Sequence, residues 1–322
     1  MINKLITGVA GFIGSNLLDE LLKNKDNIII GIDNFNEFYD PSIKRKNIEH
    51  NLENNNFKFY NIDLLDTNSL NKIFENHKID SIVHLAGYGG VRPSIENPKL
   101  YIDNNIVATL NILECMKNYN VKKLVYASSS SVYGNSKESI FKETLNVSEP
   151  ISPYAMTKKA CEELCYTYHK LYNIDIIALR FFTVYGKRQR PDLAISKFTK
   201  LILEDKAIPV FGDGNTIRDY TYIEDIVSGI ISAIEYNKTS YEIVNLGGGD
   251  PVSLNRMIET IENVLNKKAI IERMSMQKGD VDKTAADISK AKKLFNYNPS
   301  TSFEEGIKKF TKWFKNNMYN GV

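Results

Sequence analysis

Short apolar runs alternate with longer amphipathic ones over the first half of the chain. Residues 4–7, 28–32, 57–60, 81–85, 123–127 and 175–180 are near-continuous apolar stretches, the pattern of strands buried on both faces. Residues 12–23, 43–52, 69–75, 100–118 and 153–172 repeat apolar positions at helical spacing. Strand–helix alternation predicts an α/β fold, a doubly wound parallel sheet with helices on both faces. After Val184 the pattern turns irregular, with helices predicted over 194–203, 223–236, 253–265, 287–294 and 303–315 between loops containing Gly and Pro. The expected organisation is one unit over residues 1–180. Residues 181–322 then form mainly a smaller α/β lobe, with some segments returning to the first unit.

Composition narrows the function classes. Lys and Arg total 41 and Asp and Glu 39 in 322 residues, a net charge of +2. That balance gives no reason to expect nucleic acid as a partner. No apolar run reaches the ~18 residues of a membrane span. The N-terminal apolar stretch is interrupted by Gly8, Gly11 and Gly14 and runs into Asp19 and Glu20, unlike a signal peptide. A cytoplasmic protein with no membrane partner is expected. Of the three cysteines, Cys161 and Cys165 stand four apart, which suits packed helix positions better than a metal. His50, His77, His84 and His169 are scattered, so no metal site is expected.

Gly8, Gly11 and Gly14 fall between the first strand and the first helix. A tight turn there brings backbone N–H groups and a helix N-terminus to a pyrophosphate, as in a Rossmann dinucleotide site. Asp33 ends the second strand, where a carboxylate accepts from ribose hydroxyls and repels a 2′-phosphate, favouring NAD over NADP. Asp63, after the third strand, fits an adenine-edge contact.

Four Tyr-x3-Lys pairs occur, so the pattern alone decides little. Tyr119–Lys123 spans a helix end, Tyr133–Lys137 lies in a loop, and Tyr166–Lys170 sits late in a helix. Only Tyr154–Lys158 opens a helix, after Ser152 and Pro153, with both side chains on one face. It also follows the hydroxyl run Ser128 to Ser131 at the carboxyl end of the fifth strand. A Tyr acting as a base near neutrality needs its pKa lowered from ~10, and a neighbouring ammonium does that.

These segments resemble the extended short-chain dehydrogenase/reductases, in the branch of nucleotide-sugar epimerases and dehydratases. The similar stretches are GVAGFIG (8–14), DN (33–34), HLAG (84–87), SSSSVYG (128–134), SPYAMTK (152–158), RFFTVYG (180–186) and RDYTYIEDI (218–226). Residues 90–98, 181–192 and 277–287 are further similar to UDP-glucuronate 4-epimerases. The resemblance implies a Rossmann domain over 1–180 carrying the catalytic residues, and a sugar-nucleotide lobe beyond it. It implies Ser129, Tyr154 and Lys158 as catalytic, and NAD as cofactor. NAD contacts are implied at Gly8, Gly11, Phe12, Ile13, Gly14, Asp33, Asn34, Asp63, Leu64, Leu85, Ala86, Gly87, Asn105, Tyr154 and Lys158. For a UDP-sugar it implies Arg218 on the diphosphate, Phe211 on uracil, Asp280 on ribose and Arg92 on phosphate or carboxylate. Arg190 could hold a sugar carboxylate with a fork of donors, helped by Ser130, Ser131 and Thr183. One departure is Lys187, where most members have Pro.

Related dehydratases need an acidic pair after the active hydroxyl, and related decarboxylases usually carry Glu at the second of those positions. This chain has Ser130 and Ser131. The expected reaction is therefore 4-epimerisation of a UDP-sugar, UDP-glucuronate to UDP-galacturonate, by transient oxidation at C4. The alternatives are a UDP-glucose or UDP-N-acetylglucosamine 4-epimerase and, in a different class, a non-catalytic NAD-sensing protein. A homodimer is expected through helices 100–118 and 153–172, with Cys161, Leu164 and Tyr168 as a contact stripe.

Overall fold

A computed structural model describes residues 1–275 and 281–319. The strands are β1 (Ile2–Thr7), β2 (Asn27–Asp33), β3 (Phe57–Asn61), β4 (Ser81–His84), β5 (Lys123–Ser129), β6 (Asp175–Phe181), β7 (Thr183–Tyr185), β8 (Ala207–Phe211), β9 (Ile217–Tyr222), β10 (Tyr241–Leu246), β11 (Pro251–Ser253) and β12 (Ile270–Met274). Seven of them form a parallel sheet in the order β10-β6-β5-β4-β1-β2-β3. The order reverses between β1 and β4, and that switch point opens a crevice at the carboxyl ends of the strands.

Alternate strand residues feed two cores, one on each face of the sheet. Ile6, Ile29 and Val125 point into one; Leu5, Ile30 and Leu124 point into the other. Burial on both faces explains the near-continuous apolar runs of these strands. The helices begin with α1 (Phe12–Leu21), α2 (Pro41–Ile48), α3 (Thr67–Asn76), α4 (Val91–Glu96) and α5 (Pro98–Tyr101). They continue with α6 (Ala108–Asn118), α7 (Pro153–Tyr172), α8 (Ala194–Leu203), α9 (Ile223–Glu235), α10 (Leu254–Leu265), α11 (Ser289–Phe295) and α12 (Phe303–Asn317).

Several elements differ from the sequence expectation, among them the short strands after residue 182. The helix expected over 100–118 is α5 and α6 joined by a π-helical segment, Ile102–Val107. Apolar spacing does not distinguish a π-turn from an α-turn within one run, because the apolar face continues through it. The seventh strand of the sheet, β10, is not expected as a strand from the sequence; it follows α9 and pairs in parallel with β6, a later segment returning to the first unit. Its polar Glu242 and Asn245 interrupt the apolar run; Asn245 is buried, accepting from Tyr133 Oη at 2.7 Å and donating to Phe141 O at 2.9 Å. Elsewhere β11, β9 and β7 form a three-stranded sheet, and β12 pairs in parallel with β8.

Candidate active site

A cleft of about 430 Å³ runs along the carboxyl ends of β1, β2, β4 and β5. At its floor, Gly8 adopts φ +68°, and a Cβ there would meet Ala86 N at 2.8 Å. A Cβ on Gly14 would lie 2.1 Å from the Gly8 carbonyl oxygen. The turn from β1 into α1 therefore closes only with glycines, and it leaves backbone N–H groups at the helix N-terminus facing the cleft. This cradle fits a dinucleotide pyrophosphate.

Asp33 caps the second strand beside it. Its carboxylate accepts from Ala10 N (3.1 Å) and Phe35 N (2.9 Å). Burial pushes this carboxyl up, against the pull of the Phe35 N–H and the Lys44 charge. Asn34 donates to Asp63 Oδ2 at 2.9 Å, joining the ends of β2 and β3 along one cleft wall. Phe12, Ile13, Leu64, Leu85, Ala86 and Gly87 complete this part of the lining.

Tyr154 stands in the first turn of α7. Pro153 opens the helix and Ser152 caps it, its Oγ accepting from Ala155 N at 3.1 Å. The Tyr154 N–H donates to Ser94 Oγ (3.1 Å), and its ring meets Tyr101 edge-on. One turn on, Lys158 is 6% exposed and donates to Ala127 O at 2.8 Å, its ammonium 5.2 Å from the Tyr126 ring centre. A further turn on, Glu162 holds Arg180 with two 2.8 Å bonds and accepts from Ser128 at 2.6 Å. That buried pair fixes α7 against β5 and β6. Ser129 Oγ accepts from both Ser131 N (3.2 Å) and Ser131 Oγ (2.9 Å). With its lone pairs so engaged, the Ser129 hydroxyl hydrogen is left to donate into the cleft.

Asn105 lies in the π-helical segment, below the lining instead of on it. Its Nδ2 donates to Thr157 Oγ1 (3.0 Å) and Tyr88 O (3.1 Å), and its Oδ1 accepts from Tyr88 N at 2.7 Å. Thr157 in turn donates to Tyr154 O at 2.8 Å. The π-turn is braced from beneath. His84 lies 2.6 Å from Thr7 Oγ1 and 3.0 Å from Thr109 Oγ1, and Thr109 donates to Asn105 O at 2.6 Å. Burial, and then the Lys158 charge, push His84 down to about 3. The ring is neutral, Nδ1 accepting from Thr7 and Nε2–H donating to Thr109.

Of the residues expected on the substrate side, Ser130, Thr183 and Arg190 line the cleft, while Ser131, Arg92, Phe211 and Arg218 do not belong to its wall. The Arg92 guanidinium lies 4.6 Å from the centre of the Phe211 ring, so these two meet each other. Arg218 donates to Ile217 O at 2.9 Å. Asp280 lies outside the described residues. Arg190 spends Nε and Nη2 on Asp192, at 3.0 and 2.7 Å, and lies over Phe38. Its fork thus faces its own loop, and its Nη1 lies on the side of Gly89, where a Cβ would come within 3.1 Å.

Residues 5–310 match the family model described as GDP-mannose 4,6 dehydratase. A UDP-glucuronate 4-epimerase of Thermodesulfobacterium geofontis is 49% identical over 315 residues, covering 98% of this chain and 96% of that protein. The chain belongs to the extended short-chain dehydrogenase/reductase family. Among solved members, it is similar to the UDP-glucuronic acid 4-epimerase of Bacillus cereus in complex with UDP-glucuronic acid and NAD. That match has a TM-score of 0.93 and 39% identity over 98% of this chain and 99% of that one. A UDP-N-acetylglucosamine 4-epimerase of Methanobrevibacter ruminantium in complex with UDP-N-acetylmuramic acid has a TM-score of 0.90 and 33% identity, covering 98% and 99%.

In this short-chain dehydrogenase/reductase, sequence reasoning missed part of the cleft. Asn36, Phe38, Tyr39, Lys44 and Tyr88 also line it. Lys44 donates to Asn36 O and Oδ1, both at 2.7 Å, and burial lowers its pKa while the Asp33 charge opposes that. The aromatics of residues 35–39, next to Asp33, were the available signal. Nothing in their spacing separates a cleft wall from a loop.

Proposed function

We propose that the protein is an NAD-dependent UDP-sugar 4-epimerase, acting on UDP-glucuronate to give UDP-galacturonate. The observation that carries this reading is one continuous cleft. It joins the glycine cradle to Ser129, Tyr154 and Lys158, with serines at positions 130 and 131 where elimination needs an acid. The epimerases similar to this chain, crystallised with NAD and UDP-sugars, support the same reading.

Gly8, Gly11 and Gly14, with Phe12 and Ile13, hold the NAD pyrophosphate against α1 in this reading. Asp33 and Asn34 take the adenosine ribose, and Asp63 and Leu64 the adenine. Leu85, Ala86, Gly87 and Asn105 support the nicotinamide half. The chemistry that NAD supplies when bound is reversible acceptance of hydride, here at C4. Tyr154 takes the proton of the O4 hydroxyl as C4 is oxidised and gives it back once the sugar has turned. Lys158 sets its positive charge beside that transfer, and Ser129 donates to O4. Ser130 and Thr183, on the cleft wall, bond the carboxylate, with Arg190 adding charge, while Ser131 holds Ser129 from behind. Arg218, Arg92, Phe211 and Asp280 serve the nucleotide end.

The fork of Arg190 on Asp192 favours a second reading, a neutral-sugar 4-epimerase. A panel of UDP-glucuronate, UDP-glucose and UDP-N-acetylglucosamine separates the two. Tyr154→Phe should lower turnover by about 10²–10⁴-fold while bound NAD persists. A variant keeping more than about a tenth of wild-type turnover overturns the role of Tyr154.

The assembly belongs to the same reading: a homodimer built on the helices around residues 95–118 and α7. Ile95, Ile102 and Val107 are exposed aliphatic side chains on that surface. The stripe expected from sequence is different. Cys161 is fully buried against Asn105 O and Thr109, and Tyr168 donates to Glu114, so both belong to the protomer core. The three cysteines are unpaired thiols, which suits the reducing cytoplasm. Among the described residues no helix is long and apolar enough to cross a membrane.

A further inference from the structure

The loop that carries Arg190 is tied down by a residue no motif assigns. Arg188 adopts φ +64°, a left-handed conformation that a non-glycine residue keeps only where its surroundings hold it there. Its guanidinium reaches back to α1. It lies 2.8 Å from Asp19 Oδ2, and Nη1 donates to Ser15 O at 3.0 Å. Asn16, on the same helix, donates to Lys187 O at 3.1 Å. Asp19 is itself fixed by Asn51 Nδ2 at 2.7 Å and His50 Nε2 at 2.9 Å. The segment is thus fastened at three points (Ser15, Asn16 and Asp19) along α1, the helix whose N-terminus forms the dinucleotide cradle. Two residues on, Arg190 lies on the cleft wall over Phe38.

We propose that Arg188 and Asp19 are a positioning pair that holds the Arg190 loop in register with the cofactor helix, and thereby keeps the oxidised uronate from losing its carboxylate. The inference rests on the UDP-glucuronate reading. In a 4-keto uronate the carboxylate is β to the new carbonyl. If its C5–C6 bond turns perpendicular to the carbonyl plane, that bond breaks and CO2 leaves. The electron pair passes into a C4–C5 enolate, a proton from water adds at C5, and return of the hydride to C4 gives a UDP-pentose. A loop free to shift by an ångström relaxes the wall that opposes this turn.

The test compares Arg188→Gly, Arg188→Lys and Asp19→Asn with wild type as purified holoenzymes. Glycine accepts φ +64° without strain, so the first variant removes the anchor and not the backbone conformation. Expected for Arg188→Gly are a share of UDP-pentose in the product raised about tenfold and a matching loss of kcat/KM for UDP-glucuronate. UDP-glucose turnover and NAD content should change little. Asp19→Asn should act in the same direction, and Arg188→Lys should restore part of the selectivity. A folded Arg188→Gly holoenzyme with an unchanged product ratio overturns the positioning pair alone. Equal losses on both sugars overturn it too, since a merely structural role gives that result. A wild type that does not turn over UDP-glucuronate overturns the substrate reading and this inference with it.

Discussion

Arg190 has two claims on its charge. Asp192 takes its Nε and Nη2, yet the residue stands on the cleft wall beside Gly89. If the carboxylate of the sugar uses the Nη1 donors, Arg190→Ala should weaken UDP-glucuronate selectively, by about 1.5–3 kcal/mol in kcat/KM. Measuring both sugars in wild type and variant checks this; equal losses would assign Arg190 to the loop alone. His84 carries a second prediction at this scale. Burial holds its native pKa at about 3, against 6.5 for the free side chain. The unfolded chain therefore binds the extra proton as pH falls, and native stability is lost from pH 6.5 downward. At ~1.36 kcal/mol per unit, roughly 2 kcal/mol should be gone by pH 5 from this group. His84→Asn should flatten that part of the stability curve, measured by urea unfolding at pH 7 and pH 5.

At the scale of elements, the π-helical segment Ile102–Val107 carries Asn105, whose carboxamide bonds both Tyr88 and Thr157. One side chain thus ties the segment after β4 to the first turn of α7, where Tyr154 sits. Asn105→Ala leaves the Tyr88 N–H and the Thr157 hydroxyl without that partner. The expected cost is about 1–3 kcal/mol of unfolding free energy. Turnover should fall by about tenfold or more as Tyr154 loses its support. Thermal unfolding and kcat, measured on the same preparation, separate the two effects. Full turnover in a destabilised variant would make the π-turn a packing feature only.

The whole molecule raises the question of what covers α4 and the π-helical segment. Ile95 is 47% exposed, Ile102 38% and Val107 36%. A second copy related by two-fold symmetry would bury the same patch on both chains. Sedimentation at micromolar concentration should show a dimer, and Ile102→Glu with Val107→Glu should give a monomer. A wild type that sediments only as a monomer would remove this assembly.

The parallel sheet and its covering helices were legible in the sequence because strands buried on both faces must be apolar throughout. The glycine cradle was legible because no other residue closes the turn from β1 to α1. Tyr154 stood out from three other Tyr-x3-Lys pairs because Ser152 and Pro153 mark a helix start. These are local constraints, and a chain carries them in adjacent residues. The tertiary structure alone decided which distant groups share a bond. Within the π-turn, Cys161 of α7 reaches the Asn105 carbonyl, and the Asn105 side chain bonds Thr157 of the same helix. Arg188 is held left-handed by α1, a helix that lies far away in sequence. Hydrogen bonds of this kind leave no period in the sequence, since their geometry depends on where separate elements come to rest.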